Sequence, residues 1–94
     1  MTLETDFLQL KPFHDQNVFI RTVTMFYVGK LMYENKKFIF VEDAAWVGNT
    51  GRFHDFLKDG DVNEVEPYVD PIAINKDSIV EVTLWNHDLL KKQK

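Results

Sequence analysis

The feature that most constrains the fold is an early run of β-branched and aromatic residues, VFIRTVTMFYVGKLMY at residues 18–33. Such residues favour strands over helices, because branched and ring side chains pack well on a pleated surface. Both alternating sets in the run contain apolar residues, which predicts that both faces of the sheet are covered. We expect one long strand or a bent pair, with Gly29 marking a bulge or a sharp bend.

Further strand patterns complete a sheet. A polar turn at residues 34–37 leads into FIFVEDAAWV at residues 38–47, and shorter strands are predicted at 72–74 and 78–85. Simple alternation places Trp46 on the same face as the phenylalanines that open its strand, where burial is the default. Antiparallel strands joined by short connections are therefore expected throughout.

One short helix is predicted inside this sheet. Phe53, Phe56 and Leu57 recur at helical spacing over about two turns. Asn49 or Thr50 is expected to cap the start of this helix. The segment Asp59-Gly60-Asp61 ends it, and the acidic residues 62–70 that follow are interpreted as irregular.

The predicted fold class is mainly β with one inserted helix, a small and strongly bent antiparallel sheet or barrel. With 94 residues the chain suits one domain. We expect an N-terminal arm at 1–17, a single β-rich domain at 18–88 and a basic tail at 89–94 that frays after Leu90. The apolar side chains of the arm favour docking on the sheet or on another subunit; they are Leu3, Phe7, Leu8 and Leu10.

Composition excludes several classes of function. The chain has no cysteine, so disulfides, thiolate chemistry and sulfur-based zinc sites are excluded. Its formal net charge of −4 argues against non-specific nucleic-acid binding, which needs a basic face. No apolar run approaches a membrane span, and the first ten residues carry acids where a signal peptide needs bases. We therefore expect a soluble, intracellular protein.

Catalytic and metal chemistry are not indicated. His14, His54 and His87 lack metal-site spacing, and each is interpreted as a surface or partly satisfied residue. The acidic segment 59–64 resembles part of a calcium loop but lacks the full ligand spacing, so we interpret it as a solvated loop. We predict no catalytic residue, no metal and no cofactor.

The turn Gly48-Asn49-Thr50-Gly51 is the best candidate for an anion site. Amides at the start of a helix attract phosphate or carboxylate. Arg52 is predicted in the first helical turn, next to the positive end of the helix dipole, which is unfavourable for a cation. A bound anion would resolve that conflict, and an ion pair between Arg52 and a nearby carboxylate would do so equally well.

Arginine is scarce, with two residues against nine lysines. Arg21 lies on an apolar strand face and needs a partner, either an anionic ligand or a glutamate on a neighbouring strand such as Glu42 or Glu81. Several side chains could stack on a base or read its edge, although core and subunit contacts are the alternative role for the aromatic ones. The candidate ligand-binding residues are Arg21, Tyr27, Trp46, Asn49, Thr50, Gly51, Arg52, Phe53, Trp85 and Asn86.

Three segments carry a resemblance to known proteins. RTVTMFYVGKL, EDAAWVGNTGRF and SIVEVTLWNH together resemble a family of small phage and prophage proteins over roughly residues 20–87. The pattern GKL … FIFVEDA with the later INKDSIVEV is also similar to Sm-like barrels, which form rings that bind RNA or nucleotides between subunits. In size, strand-rich order, TGRF-like turn and aromatic-plus-arginine content, the chain also resembles anti-Thoeris sponges.

These resemblances imply a function without assigning pocket residues. Anti-Thoeris sponges sequester a cyclic ADP-ribose immune signal in pockets shared by subunits and do not cleave it. The leading hypothesis is therefore a non-enzymatic, homo-oligomeric phage-type protein that holds a small anionic, nucleotide-like ligand. The alternative is a structural, accessory or host-protein-binding module without a small ligand, which uses its aromatic residues and acidic loop as an interface.

Overall fold

The early β-branched run folds as a hairpin. In the computed structural model, which describes residues 9–94, β1 spans Gln16–Thr22 and β2 spans Phe26–Glu34. The Thr22 hydroxyl closes the turn between them, because it lies 2.8 Å from the Met25 carbonyl oxygen and 2.9 Å from the Met25 amide nitrogen. The run thus forms two strands, as one alternative of the prediction has it, but the chain reverses at residues 23–25, where no turn was predicted.

The remaining strands extend the hairpin into one antiparallel sheet. They are β3 (Phe38–Asn49), β4 (Glu64–Pro67), β5 (Ile72–Asn75) and β6 (Ile79–Leu84), and α1 (Phe53–Asp59) follows β3. The strand order is β4-β3-β2-β1-β6, and β5 pairs with the first half of β3. Among the described strands β6 pairs only with β1, so the sheet is open at that edge. The predicted mainly β fold with one inserted helix is confirmed, but β4 lies in a segment predicted to be irregular.

Both faces of the sheet are covered, as the two apolar sets of the first run predict. On the helix face, the buried side chains that pack with the helix residue Phe56 are Phe19, Val28, Ala45, Val47, Val62, Val65 and Trp85. On the opposite face, here called the arm face, the buried side chains that pack with Leu10 are Val18, Ile20, Leu31, Ile39, Val41, Ala44 and Ile74.

A bulge opposite Gly29 changes which face Trp46 occupies. The β2–β3 register shifts between Val28 and Lys30, and Asp43 on β3 has a φ of 49°. Because a bulge inserts one residue, the alternation of β3 reverses beyond it. Trp46 pairs with Tyr27 and therefore lies on the arm face. The predicted bulge is confirmed, whereas the predicted face of Trp46, shared with the first phenylalanines of β3, is wrong.

The helix forms where the apolar spacing predicts it. It ends at Gly60, which has a φ of 78° and donates its N–H to the Phe56 carbonyl at 3.0 Å. Phe56 is fully buried, and its ring packs at 5.4 Å from Phe19 and 4.8 Å from Trp85. Within residues 9–94, no helix is long and apolar enough to cross a membrane.

Both ends of the described chain dock on the sheet. Leu10 is buried on the arm face, which confirms docking for this residue of the arm, while Leu3, Phe7 and Leu8 lie outside the described residues. At the other end, Leu89 and Leu90 pack on the helix face. Lys94 and Val65 exchange two backbone hydrogen bonds of 2.9 Å. The expectation of a frayed tail is wrong, because β4 offers the tail a strand edge with which to pair.

Candidate functional site

The turn before the helix satisfies its own polar groups. The Asn49 side-chain oxygen accepts the Gly51 N–H at 2.8 Å, and the Thr50 hydroxyl donates to the Gly51 carbonyl at 2.8 Å. The helix cap is Arg52, in an extended conformation and without a side-chain cap. The predicted cap at Asn49 or Thr50 is therefore wrong, because Asn49 closes a turn inside the loop before the helix begins.

The turn offers few free groups to the predicted anion. The Gly51 N–H already has an acceptor, and the Asn63 side chain lies against Gly51, 3.2 Å from where a β-carbon would stand. With seven residues, α1 presents only a short dipole. Arg52 itself is exposed and takes part in no ion pair within the described part of the chain. Arg52 is thus the one member of this turn with a group ready for an anion.

Arg21 is paired within the sheet. Its Nη2 lies 2.5 Å from Glu81 Oε1, and the two residues are directly opposite on β1 and β6. Both side chains are 45% exposed, so the pair is screened by solvent. The ion-pair alternative for Arg21 is confirmed. Arg21 shares the helix face with Phe19, two residues earlier, and so lies on the opposite side of the sheet from Trp46.

Trp85 and Phe53 belong to the helix-face packing. Trp85 is 2% exposed, and its Nε1 donates to the Asp88 carbonyl at 2.9 Å. Phe56 and His87 pack against its ring, each at a centroid distance of 4.8 Å. A base therefore has no face of Trp85 on which to stack, and the predicted ligand role for this residue is replaced by a core role. Phe53 is 43% exposed and packs at 5.6 Å on Phe19, while Asn86 is exposed beyond Trp85.

Two predicted ligand residues, Tyr27 and Trp46, come together on the arm face. Tyr27 on β2 is directly opposite Trp46 on β3, and Trp46 is directly opposite Glu66 on β4. Directly opposite residues have β-carbons about 4.5–5.5 Å apart, so the three side chains form one row across the sheet. All three are half-buried.

A groove of about 300 Å³ opens along this row. The aromatic groove, as we call it, is lined by Met25, Trp46, Glu66, Pro67 and Tyr68, and Tyr27 lies beside it next to Tyr68. The Tyr68 N–H donates to the Ala44 carbonyl at 2.8 Å, which holds the tyrosine beside β3. The Tyr68 ring lies 6.2 Å from that of Tyr27, and the Tyr27 hydroxyl donates to Met25 Sδ at 3.4 Å.

The polar groups of the groove are few. Burial raises the pKa of Tyr27, and the neighbouring Tyr68 hydroxyl raises it further, so the phenol stays protonated at neutral pH. Glu66 accepts a hydrogen bond of 3.1 Å from the Gln93 amide and enters no ion pair with any described residue. The groove therefore combines aromatic surfaces with one carboxylate that has no cationic partner in the described chain.

A second polar cluster lies at the opposite end of β2. Glu34 Oε2 accepts the Leu10 N–H at 2.7 Å and lies 2.6 Å from His14 Nε2, and the buried Lys76 ammonium contacts Oε1. Burial alone would raise the pKa of Glu34, but hydrogen bonds from Lys76, Leu10 and His14 outweigh it and lower that pKa. The cluster ties the arm to the sheet, so His14 is a satisfied structural residue.

Sequence reasoning missed four groove residues, namely Met25, Glu66, Pro67 and Tyr68. Glu66, Pro67 and Tyr68 lie in the segment 62–70, for which the sequence predicts irregular structure. The alternation of buried Val65 and polar Glu66 is the one signal that indicates a strand there. The described residues contain no group of three or more potential metal ligands.

Comparison with known proteins assigns no function to this arrangement. No protein-family model matches the chain, and no curated protein matches it.

Proposed function

We propose that the protein is a non-enzymatic binding protein whose small ligand places a planar ring in the aromatic groove. The observation that carries this proposal is the Tyr27-Trp46-Glu66 row, of which Trp46 and Glu66 line a groove of about 300 Å³. That volume lies at the lower end of small-ligand pockets, which are mostly apolar with a few placed polar groups. The 41% exposure of Tyr68 leaves aromatic surface for a ligand to contact.

A nucleotide-type ligand matches the chemistry of the groove and of the turn that follows β3. A base can stack on the indole ring, with a contribution of about 1–3 kcal/mol, and present its N–H donors to Glu66. Arg52 follows the turn that leaves β3 and is an exposed guanidinium for a phosphate. The biological role in this proposal is that of a phage-type sponge, which sequesters a nucleotide-derived immune signal without cleaving it.

The proposal includes a homo-oligomer. In the described part of the chain, β6 has a partner on one side only, and its Val80 and Leu84 side chains are exposed. An open strand with exposed apolar residues is a surface on which a second copy can pair.

Thermal unfolding with a panel of nucleosides, linear nucleotides and cyclic nucleotides tests this function. A ligand that binds only the native state raises the midpoint temperature. We expect a rise for at least one compound, loss of that rise in Trp46→Ala, and its retention in Phe40→Ala. The control residue is a half-buried aromatic on the same strand, stacked at 4.5 Å on Tyr33 and away from the groove. No shift with any compound would overturn the nucleotide proposal.

A second candidate function, a protein-binding module, is favoured by the exposed apolar residues beside the groove. Val69 is 97% exposed and follows Tyr68, and Val23 is 73% exposed in the turn that contains Met25. Exposed apolar side chains next to aromatic ones are typical of protein interfaces. A stoichiometric host protein that is captured by the wild type and lost in Val69→Asp would favour this function over the first.

A further inference from the structure

Glu66 is a half-buried carboxylate in a groove of aromatic side chains. It is directly opposite Trp46, and Tyr68 follows it by two residues. Withdrawing a carboxylate from water is unfavourable unless a positive group or several donors compensate it. Among residues 9–94, the one hydrogen bond to its side chain is the 3.1 Å contact from the neutral Gln93 amide.

The basic side chains that make ion pairs in the described chain are engaged with other carboxylates. Arg21 contacts Glu81 on the far face, and Lys91 lies 3.9 Å from Asp43. Lys76 contacts Glu34 at the other end of the sheet. Glu64, two residues before Glu66 on the same strand, adds a second negative group near Gly48. Lys92 and Lys94 flank Gln93 in the sequence, but neither forms an ion pair with Glu66. The Glu66 carboxylate is therefore left without a cationic partner among the described residues.

The aromatic rings of the groove also favour a cationic ligand. The face of an indole or phenol ring attracts a cation, and the attraction grows when water is partly excluded. Two aromatic side chains, Trp46 and Tyr68, and the Met25 thioether line the groove together with the carboxylate, and the Tyr27 ring lies next to Tyr68. A single carboxylate does not make a site for a hydrated metal ion, whereas rings beside a carboxylate suit a weakly hydrated organic cation.

We infer that the aromatic groove binds an organic cation, with the positive charge lying between the Glu66 carboxylate and the face of Trp46. The chemical class is a positively charged planar ring or a methylated ammonium. This inference rests on the proposed function only for the location of the site. If the ligand is a nucleotide, its base is cationic and its phosphates lie outside the groove, because Glu66 and Glu64 would repel them.

Paired probes that differ in charge test the inference. Adenosine is neutral at pH 7, 1-methyladenosine is its cationic counterpart, and tetramethylammonium is a cation without a base. Titrations are followed by the NMR signal of the Trp46 indole N–H, with the buried Trp85 as an internal reference. We expect 1-methyladenosine to bind at least about fivefold more tightly than adenosine.

Two matched variants locate the source of this preference. In Glu66→Gln, which keeps the size of the side chain, the affinity ratio of the two nucleosides should fall to about one. In Glu42→Gln, which removes the same charge from an exposed position outside the groove, the preference should persist. An unchanged ratio in Glu66→Gln would overturn the inference.

The outcomes separate the two proposals. Equal binding of adenosine and 1-methyladenosine overturns the cation inference and leaves the nucleotide proposal standing. Binding of tetramethylammonium with no binding of nucleosides or nucleotides supports the cation inference and overturns the nucleotide proposal. No binding of any probe overturns both.

Discussion

Trp46 and Glu66 are directly opposite each other on β3 and β4, so that an indole ring and a carboxylate line one groove. Tyr27 lies directly opposite Trp46 on its other side. This row exists because the bulge at Asp43 turns the second half of β3 over, which moves Trp46 to the arm face. A backbone irregularity, rather than a sequence motif, thus assembles the candidate site.

Arg52→Ala should weaken the binding of a phosphate-bearing ligand. Loss of one exposed charged contact predicts a drop in affinity of about two- to tenfold for a nucleotide and none for its nucleoside. Isothermal titration with both compounds measures the difference. Arg21→Ala is the matched control, because Arg21 is paired with Glu81 on the other face. An equal loss of nucleotide affinity in both variants would contradict a specific role of Arg52.

Gly29→Ala should destabilise the fold, because the added β-carbon would lie 2.4 Å from Val41 Cγ1 and 3.0 Å from the Ala44 Cα. Overpacking of this kind costs about 1–3 kcal/mol in free energy of unfolding, measured by urea denaturation. In Gly48→Ala the added β-carbon would meet the end of the flexible Glu64 side chain and, at 3.0 Å, the half-buried Trp46 ring, so the cost should be smaller than at Gly29. A smaller effect at Gly29 than at Gly48 would contradict the bulge packing.

Glu34→Gln should remove part of the acid sensitivity of the protein. Since the pKa of Glu34 is lowered on folding, its ionised form stabilises the native state above the ordinary carboxyl pKa of 4.5. That stability is lost as the pH falls through the lowered pKa of the folded state. Urea unfolding at a series of pH values from neutral downward should show a shallower decline in the variant.

At neutral pH the same variant should be less stable, because the buried Lys76 loses a carboxylate contact. Breaking a buried pair of this kind costs about 3–5 kcal/mol. Glu42→Gln, at an exposed position, should change little. Parallel pH profiles for the wild type and Glu34→Gln would show that this carboxylate does not contribute to the acid transition.

Val82→Pro should block association through β6. The Trp85 N–H donates to the Asn17 carbonyl at 2.8 Å, so alternation along the antiparallel pair directs the Val82 N–H to the open edge. Proline removes this edge donor without removing a β1–β6 hydrogen bond. Sedimentation velocity should show an oligomer for the wild type and for Val82→Thr, and a monomer for Val82→Pro. A monomeric wild type would exclude the proposed oligomer.

The overall architecture could be predicted because it depends on local patterns. The strand-forming run, the helix of Phe53 and Phe56, and the bulge at Gly29 all follow from side-chain type and spacing. For Arg21, the sequence left two glutamate partners open, Glu42 and Glu81. Only the register of β1 against β6 selects Glu81. The core role of Trp85 was one of two alternatives, because burial depends on how Phe56 and the segment after β6 pack around its ring.

By itself, the sequence determined that the chain forms a mainly β sheet with apolar residues on both faces and one short helix, since strand and helix periodicities act within a few residues. Only the tertiary structure decided that Trp46 meets Tyr27 and Glu66. That meeting requires a bulge to reverse the alternation of β3 and a short strand to form from the acidic residues 64–67. The physical reason is that pairing register couples residues far apart in sequence, and one inserted residue exchanges the two faces of a strand.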